Sequence, residues 1–299
     1  LATAYRLRTR RRVLLARAFR RRRELSVVSD RTGGIASDDI LCLMTVRNEA
    51  LRLPYVLEHH RKLGVRQFLI VDNDSSDGSR DLLAGQPDVS LWHTRASYKA
   101  SRFGMDWLTW LMLRHGHGHW CLTLDADEIL IYPHWQTRPL SALTGWLELQ
   151  EQDALGALTL DLYPDGPVSQ GGYRAGDDPM DHLRWFDAGS YQIKVQPRMR
   201  NLWIQGGVRA RAFFADNPRR APTLNKIPLV RWHWRYAYVN STHALLPARL
   251  NRVYATDGGM LTSGVLLHTK FLPGIVERSE EEKARGEHFA DGAQYASYY

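Results

Sequence analysis

The sequence predicts an α/β fold in which helices flank a mostly parallel sheet. Between residues 40 and 130, apolar runs of strand length alternate with segments of helical spacing and with polar turns. Ile40–Val46, Phe68–Val71, Val89–Trp92 and Trp120–Leu124 are continuous apolar runs, as expected of strands that are buried on both faces. Strands that alternate with helices indicate a parallel sheet, in which ligands bind beyond the carboxyl ends of the strands.

Helices between these strands are predicted from apolar spacing and from the residues that end them. Leu51–Leu63 carries its apolar residues on one side, and Gly64 can adopt the left-handed conformation that closes a helix. A short helix begins at Arg80–Leu83, and Phe103–Leu113 forms an apolar helix. Each of them connects two predicted strands, which is the connection that parallel strands require.

The second half of the chain has a less regular pattern. Leu158–Tyr163, Ile193–Val195 and Val265–His268 are typical of strands, whereas residues 164–190 are rich in Gly, Pro and Asp and predict a long loop. We therefore divide the chain into an arm and linker (1–39, with a polar linker at 24–39), a regular half (40–135), an irregular half of the same domain (136–276) and a charged helical tail (277–299).

The composition is that of a globular protein. Hydrophobic residues make up 44% of the chain, which is enough to form a core. No apolar run approaches the roughly 20 residues that a membrane-spanning helix needs. Cys42 and Cys121 lie inside apolar runs, which indicates buried free thiols rather than a disulfide framework. Free thiols favour a reducing, cytoplasmic location.

Positive charge is concentrated at the N-terminus. Residues 1–23 hold ten arginines and no acid, whereas the rest of the chain holds 30 basic and 32 acidic residues. If the arm is helical, a stripe of apolar residues runs among the arginines: Leu7, Val13, Leu14, Ala18 and Phe19. Two interpretations remain open, namely a helix that lies on an anionic surface at the inner face of the membrane and a helix that packs on its own domain. No stacking platform accompanies the arginines, so nucleic acid is not expected as a partner.

Two aspartates follow the last strand of the regular half. Residues two apart on a strand point to the same side, so Asp125 and Asp127 are expected to aim at one place beyond the carboxyl end of that strand. Like charges repel at such a distance unless a cation or a proton lies between them. Hard oxygen ligands favour Mg²⁺ or Mn²⁺, which bridge to phosphates. Alone, such a pair is also common in solvated turns.

Polar residues follow the first two strands as well. Thr45–Glu49 ends the first strand and Asp72–Asp77 ends the second. Because the carboxyl ends of parallel strands meet at one edge of a sheet, these segments are expected to converge on one crevice with Asp125–Glu128. Agreement among three independent segments favours a binding site over a solvated turn.

These motifs together resemble a family 2-type glycosyltransferase with the GT-A fold, in a bacterial subgroup that has an Asp-Ala-Asp-Glu motif. The resemblance is carried by Val46–Glu49, Leu63–Val65, Ile70–Ser79 and Trp120–Glu128. Two later segments resemble the same subgroup more weakly: Lys226–His243 and His268–Phe271. The resemblance implies a Rossmann-like sheet, a nucleotide-sugar-binding half (40–135), an acceptor-side half (136–276) and inverting transfer.

The resemblance also implies roles for individual residues. Asp125 and Asp127 are expected to bind Mn²⁺ or Mg²⁺, and His268, which ends an apolar run, is expected as a third ligand. The residues implied for the nucleoside of the nucleotide-diphosphate sugar are Thr45, Arg47, Glu49, Asp72 and Asn73. Those implied near its diphosphate are Lys99 and Arg102, and Asp125 is expected to contact it through the metal. The catalytic base is chosen by position and not by the resemblance: Asp187 lies in an aromatic stretch beyond the acidic pair that suits acceptor binding, and Asp165 is the second choice.

The resemblance therefore implies a metal-dependent glycosyltransferase that acts on a glycan or lipid-linked acceptor, in surface polysaccharide or glycoconjugate synthesis. Two alternatives remain open. A nucleotidyltransferase would use a similar sheet, but normally has a Gly-rich, Lys-containing loop after its first strand, which Arg47–Ala50 does not provide. A non-catalytic binding protein would use the basic arm, but acids at all three strand ends argue against it.

Overall fold

Strands and helices alternate along most of the chain. The computed structural model describes residues 2–168, 172–255 and 261–273, so the predicted tail at 277–299 lies outside the described residues. The strands are β1 (Ser26–Ser29), β2 (Leu41–Val46), β3 (Gln67–Asp72), β4 (Val89–His93), β5 (Trp120–Thr123), β6 (Glu128–Ile131), β7 (Ala154–Asp161), β8 (Gln192–Gln196), β9 (Asn201–Gln205), β10 (Asn225–Arg231), β11 (Ala237–Tyr238), β12 (Leu245–Leu246) and β13 (Ser263–His268). The helices are α1 (Ala2–Arg21), α2 (Leu53–Leu63), α3 (Ser79–Ala84), α4 (Met105–His115), α5 (Leu140–Leu149), α6 (Pro179–His182) and α7 (Gly207–Phe213).

One central sheet contains nine of these strands, in the order β1-β4-β3-β2-β5-β10-β7-β13-β6. β4, β3, β2 and β5 are parallel neighbours, and β7 and β13 form a second parallel pair. β10 joins these groups by pairing antiparallel with both β5 and β7, so both groups run in the same direction. β1, β6 and β10 run in the opposite direction. The predicted α/β fold with a mostly parallel sheet is therefore confirmed.

Apolar layers cover both faces of this sheet. Cys42 and Met44 of β2 pack in the layer that contains α2, whereas Leu41 and Leu43 pack in the layer that contains α4. All four side chains are fully buried, because successive residues of a strand point to opposite faces. Burial of each leucine stabilises the fold by about 1.5–3 kcal/mol.

The end of α2 agrees with the prediction. Gly64 has a φ of 103° and donates its backbone N–H toward the carbonyl oxygens of Arg61 and His60. Without a Cβ atom, glycine adopts this left-handed conformation without steric cost. The turn returns the chain to the sheet, so β3 lies parallel to β2 and both strands end at the same edge.

The segment predicted as a linker contains part of the sheet. β1 pairs antiparallel with β4, and Val27 lies opposite Trp92. The prediction that residues 24–39 form only a linker, with the domain beginning at residue 40, is therefore wrong. The reason is that β1 is a four-residue edge strand with mostly exposed side chains, whose two adjacent valines between serines show neither a buried apolar run nor an alternating pattern.

The N-terminal arm forms a helix that packs on its own domain. Leu14 and Ala18 are buried, and Arg17 donates to Asp106 Oδ2 at 2.9 Å and to the carbonyl oxygen of Ala100 at 3.0 Å. Of the two interpretations of the arm, packing on the domain therefore holds for the inner face of α1. Within the described ranges, no helix combines the length and the apolar character that crossing a bilayer demands.

Two of the three strands predicted in the second half lie within longer strands, and the third is shifted toward the N-terminus. β7 begins earlier than predicted, at Ala154, and ends at Asp161, whereas β8 and β13 contain the other two predicted runs. The predicted loop over 164–190 is interrupted by α6, whose N-cap Asp178 accepts the backbone N–H of Met180 at 2.9 Å. This short helix depends on a single cap, which is why an apolar pattern did not reveal it.

Candidate active site

One edge of the central sheet gathers ionisable residues from five neighbouring strands. Asp125 follows β5, Lys226 lies in β10, Asp161 ends β7, His268 ends β13 and Glu128 begins β6. These strands are adjacent, and their directions bring all five positions to the edge where β2 and β3 also end. We call the five residues, together with Asp127 and Arg209, the edge cluster.

The strand register explains the position of His268. This residue lies opposite Glu128 of β6 on one side and opposite Asp161 of β7 on the other. Its Nε2 atom is 3.0 Å from Asp127 Oδ2, and its Nδ1 atom is 2.5 Å from Asp161 Oδ1. The imidazole ring is therefore a buried bridge between two carboxylates.

Asp161 is held on its other side by Arg209 of α7. Arg209 Nε donates to Asp161 Oδ2 at 2.8 Å, and the two side chains are 10% and 2% exposed. A carboxylate that binds one nitrogen of a histidine fixes the tautomer and the orientation of the ring. Asp161 therefore directs the Nε2 atom of His268 toward Asp127.

Lys226 supplies a second cation to the edge cluster. Its Nζ atom lies 2.7 Å from Asp125 Oδ2 and 2.5 Å from Glu128 Oε1. Glu128 Oε2 also accepts the backbone N–H of Asp125 at 3.2 Å. The side chains of Lys226 and Glu128 are 8% and 1% exposed, so each provides the counter-charge without which the other would be costly to bury.

Opposite charges outweigh burial at three of these groups. Burial alone would raise the pKa of Asp127, but the neighbouring His268 holds it well below its usual range. Burial would also raise the pKa of Asp161, but Arg209 and His268 outweigh burial and lower this pKa to about 2. Burial would lower the pKa of His268, but the two carboxylates raise it to about 9. Glu128 differs, because burial raises its pKa more than Lys226 lowers it.

The donors of the edge cluster suit a divalent cation, although only part of the set is assembled. Asp127 Oδ2 and His268 Nε2 are 3.0 Å apart, and two ligands about 2.1 Å from one octahedral ion are themselves about 3 Å apart. Asp125 is paired with Lys226 instead. Across the described ranges, no group of three or more His, Cys, Asp or Glu side chains is arranged to hold a metal ion. The predicted three-ligand site stays a prediction.

Of two further residues predicted for the nucleotide, Arg47 joins neighbouring loops and Thr45 does not. Arg47 Nη1 donates to the backbone carbonyl oxygens of Asn73 and Asp74, each at 2.8 Å. The hydroxyl oxygen of Thr45 is buried and has no hydrogen-bond partner among the described residues. Arg47 therefore fastens the loop after β2 to the loop after β3, and the two loops form one wall beside the edge cluster.

The backbone of the loop after β2 is also engaged. The N–H groups of Asn48, Glu49 and Ala50 donate to side-chain oxygens within residues 75–79, at distances of 2.8–3.0 Å. The carboxylate of Glu49, a third residue predicted for the nucleotide, accepts from Arg52 at 3.1 Å. These N–H groups are therefore not presented to the crevice.

Asp72 and Asn73 lie at the predicted strand end, but their side chains hold protein groups. Asp72 is fully buried and accepts from Arg80 Nε at 2.8 Å. The amide of Asn73 donates to the carbonyl oxygens of Thr94 and Ala96, at 3.2 and 3.0 Å. The nucleoside contacts predicted for these two side chains have no support in this geometry, because their polar atoms are used to fix the loop.

Arg102 serves an internal network rather than the edge cluster. It donates to Asp106 Oδ1 at 3.1 Å and to the carbonyl oxygens of Tyr238 and Val239 at 2.7 and 3.0 Å. Burial lowers the pKa of Arg102, and Asp106 partly offsets that effect. The prediction that Arg102 lies at the diphosphate therefore has no support in the structure. Lys99, predicted beside it, is exposed in the segment before α4.

Asp187, the predicted base, is already paired. Its two carboxylate oxygens accept from Arg211 at 2.9 and 3.0 Å, and Tyr163 donates to it at 3.0 Å. The bonds from Arg211 hold its pKa below the usual range. Because a carboxylate with a lowered pKa is a weak base, the structure argues against this prediction. Asp165, the second choice, is exposed on the loop that follows β7.

Sequence reasoning missed Lys226, Asp161 and Arg209. For the first two a signal was present, because each interrupts an apolar strand pattern: Lys226 within Leu224–Val230 and Asp161 within Leu158–Leu162. A charged residue at such a position needs an opposite charge nearby. Arg209 had no such signal, since α7 is short and its sequence is mixed.

Comparisons with known proteins add little to this picture. No protein-family model matches the chain, and no curated protein matches it. One similar solved structure is 4-diphosphocytidyl-2C-methyl-D-erythritol synthase, with 16% identity and a TM-score of 0.27 over 46% of this chain and 67% of that one. Another is described as a glucose-1-phosphate thymidylyltransferase from Bacillus anthracis in complex with sucrose, with 12% identity and a TM-score of 0.37 over 86% of this chain and 98% of that one. Likeness at this level carries no argument about function.

Proposed function

We propose that this protein is a metal-dependent glycosyltransferase that moves a sugar from a nucleotide-diphosphate sugar to an acceptor hydroxyl. The observation that carries the proposal is the edge cluster, in which five adjacent strands each contribute an ionisable residue to one edge. This is the edge at which ligands of such sheets bind. Asp125 and Asp127 provide the hard oxygen atoms that suit a cation bridging to a diphosphate.

Each residue of the edge cluster has a part in this proposal. Asp125, Asp127 and His268 would hold Mn²⁺ or Mg²⁺. His268 would bind as the neutral imidazole, so the proton between Nε2 and Asp127 would leave as the cation binds. A cation at that position supplies Lewis-acid stabilisation of the charge that develops on the leaving diphosphate. Asp161 keeps Nε2 of His268 directed into the site by accepting at Nδ1.

Asp165 is the better candidate for the base that takes a proton from the attacking hydroxyl. β7 ends at the edge cluster with Asp161, and Asp165 follows four positions later on an exposed loop. Unlike Asp187, it makes no ion pair within the described residues. Asp165→Asn is expected to lower kcat while leaving the affinity for the nucleotide sugar unchanged, whereas Asp187→Asn leaves kcat within a few-fold of wild type. If a steady-state assay shows the larger loss of kcat in Asp187→Asn, Asp187 and not Asp165 is the base.

The loop after β2 favours glycosyl transfer over nucleotidyl transfer. A nucleotidyltransferase loop at this position presents free backbone N–H groups to phosphates. Here the N–H groups of Asn48, Glu49 and Ala50 are bonded to side chains of the next loop. The phosphates of a nucleoside triphosphate would find those donors occupied.

A product assay tests the proposal and its alternative together. The full chain is incubated with Mn²⁺ and, in turn, UDP-glucose, UDP-N-acetylglucosamine, GDP-mannose and dTDP-rhamnose, with a mixture of oligosaccharides as acceptors. Metal-dependent release of a nucleoside diphosphate by wild type, absent in Asp127→Asn, is the expected result. Release of pyrophosphate from a nucleoside triphosphate and a sugar 1-phosphate would instead identify a nucleotidyltransferase.

The outer face of α1 supports a location on an anionic lipid surface, where a lipid-linked acceptor would be found. Tyr5 and Val13 are 70% and 51% exposed. Six arginines of the arm are exposed and form no ion pair within the described residues: Arg6, Arg8, Arg10, Arg12, Arg20 and Arg23. Arginine beside exposed apolar side chains suits the headgroup region of a membrane.

Vesicle binding tests this location separately from catalysis. Full-length protein is expected to sediment with vesicles that contain phosphatidylglycerol, but not with vesicles of phosphatidylcholine alone. Substitution of Arg6, Arg12 and Arg20 by Glu is expected to abolish the binding. The matched control substitutes exposed arginines elsewhere: Arg66, Arg114 and Arg138. Equal loss of binding in both triple variants would mean that only net charge matters and would reject a specific role for α1.

A further inference from the structure

Lys226 reaches the edge cluster at an irregular point of the sheet. The register between β10 and β7 shifts between Lys226 and Leu229, and such bulges re-aim side chains beside functional sites. The hydroxyl oxygen of Tyr254 lies 2.7 Å from the carbonyl oxygen of Lys226 and 2.8 Å from that of Ala157. The hydroxyl group of Tyr254 therefore links the backbone at Lys226 to β7 beside the irregular register, which helps to fix the position of the ammonium group.

The two carboxylates that contact Lys226 differ in their freedom to leave it. The side chain of Glu128 is 1% exposed, whereas that of Asp125 is 53% exposed. Glu128 alone can balance the charge of the buried ammonium. Asp125 can therefore turn away toward solvent or toward another cation without leaving Lys226 as an unpaired buried charge.

We propose that Lys226 is a positioning residue that holds Asp125 until a divalent cation takes its place. The inference rests on the proposed function, because it takes Asp125 as a metal ligand. Since Lys226 and the divalent cation compete for the same carboxylate, Lys226 weakens the affinity of the nucleotide-free protein for that cation. The lysine thereby makes cation binding depend on the further oxygen ligands that a diphosphate brings.

Two variants with opposite expected effects separate this competition from a simple change of charge. Among the described residues, Glu128→Gln leaves Asp125 as the only counter-ion of Lys226, so Mn²⁺ is expected to bind more weakly. The double variant Lys226→Met/Glu128→Gln removes one positive and one negative charge and leaves no buried ion unpaired. It frees Asp125 at unchanged net charge, so Mn²⁺ is expected to bind more tightly than to wild type.

The measurement is a titration of the full chain with Mn²⁺, without nucleotide, in which free Mn²⁺ is quantified by electron paramagnetic resonance. The Kd of the double variant is expected to be at least about fivefold lower than that of wild type, the size of a modest coupling between sites. Adding Asp125→Asn to the double variant is expected to remove the gain. Lys226→Arg, which keeps a cation at this position, is expected to bind Mn²⁺ as wild type does.

A variant at a second lysine distinguishes direct contact with Asp125 from an electrostatic effect that acts without contact. Lys270 acts electrostatically on Asp127 in the same region. Lys270→Met and Lys226→Met each remove one positive charge, so equal tightening of Mn²⁺ binding in these two variants would mean that the effect is one of field alone and would overturn the inference. Circular dichroism and thermal unfolding confirm that each variant compared is folded.

The outcomes also separate this inference from the proposed function. If wild type binds Mn²⁺ and the double variant binds it equally or more weakly, only the role of Lys226 is overturned. If neither protein binds Mn²⁺, with or without UDP or GDP at millimolar concentration, the metal-dependent function fails and the inference fails with it.

Discussion

The ion pair between Asp161 and Arg209 predicts a large loss of stability in Asp161→Asn. Both side chains are almost fully buried, at 2% and 10% exposed, and Asp161 also accepts from His268. Neutralising the aspartate takes its negative charge away from the buried guanidinium of Arg209 and from His268. Removing one partner of a buried pair costs about 3–5 kcal/mol of the free energy of unfolding.

A second pair of the same chemistry provides the control. Asp187 and Arg211 are joined by a bond of 2.9 Å, but the arginine side chain is 60% exposed. Because water can solvate the remaining charge, Asp187→Asn is expected to cost at most about 1 kcal/mol. Equilibrium unfolding in urea measures both variants.

A double variant completes the test. Asp161→Asn/Arg209→Met removes both charges, so it is expected to be less destabilised than the sum of its single variants, because the buried guanidinium that lost the carboxylate of Asp161 is gone as well. Equal losses in Asp161→Asn and Asp187→Asn, or strict additivity in the double variant, would refute the argument that burial of the pair controls its energetic importance.

Three further predictions concern other parts of the structure. Asp127→Asn is expected to abolish Mn²⁺ binding, as judged by titration, and to lower the urea midpoint while the fold is kept, as judged by circular dichroism, because it removes one of the two carboxylates that His268 bridges. Gly104→Ala is expected to destabilise by at least about 1–2 kcal/mol in urea unfolding, because φ is 76° and an added Cβ would lie 2.5 Å from the hydroxyl oxygen of Thr45. Burial lowers the pKa of His60 to about 3, below the value of about 6.5 in the unfolded chain. As pH falls, the unfolded state therefore takes up the proton first. Between about pH 6.5 and 3, His60 lowers the free energy of unfolding by about 1.4 kcal/mol for each unit that the pH falls. In His60→Gln the measured slope of stability against pH is expected to be shallower by that amount, and an unchanged slope would contradict the assignment.

The regular half of the fold could be predicted because its signals are local. A continuous apolar run, a glycine after a helix and acids after a strand each identify an element without knowledge of the rest of the chain. β1 could not be identified in this way, because an edge strand with exposed side chains has no apolar pattern. α6 depends on one capping aspartate and likewise has no periodic signal.

The site was predicted only in part because its partners are distant in sequence. The position of Asp125 and Asp127 followed from one strand end, but Lys226 meets Asp125 across 101 positions of sequence. That contact is created by the insertion of β10 between β5 and β7, which no local pattern encodes. The interpretation of Asp187 as a base did not foresee Arg211, whose position on α7 depends on the packing of the second half.

The resemblance to glycosyltransferases predicted where the residues at the strand ends lie more reliably than it predicted what they contact. Arg47 and Asn73 lie at the expected edge, yet both hold backbone carbonyl groups of neighbouring loops. A polar residue at a strand end can bind a ligand or can fix the loop that receives it. Only the hydrogen bonds distinguish the two roles.

The central claim is that the edge cluster binds a nucleoside diphosphate through a divalent cation. Its most direct test is the thermal unfolding of wild type and Asp127→Asn with UDP, GDP, ADP, CDP and dTDP, each with and without Mn²⁺. Ligands that bind the folded state raise its stability by mass action. The account predicts a rise in Tm with one nucleotide for wild type, only when Mn²⁺ is present, and no rise for Asp127→Asn. The absence of any rise for wild type at millimolar nucleotide, or an equal rise in both proteins, would contradict it.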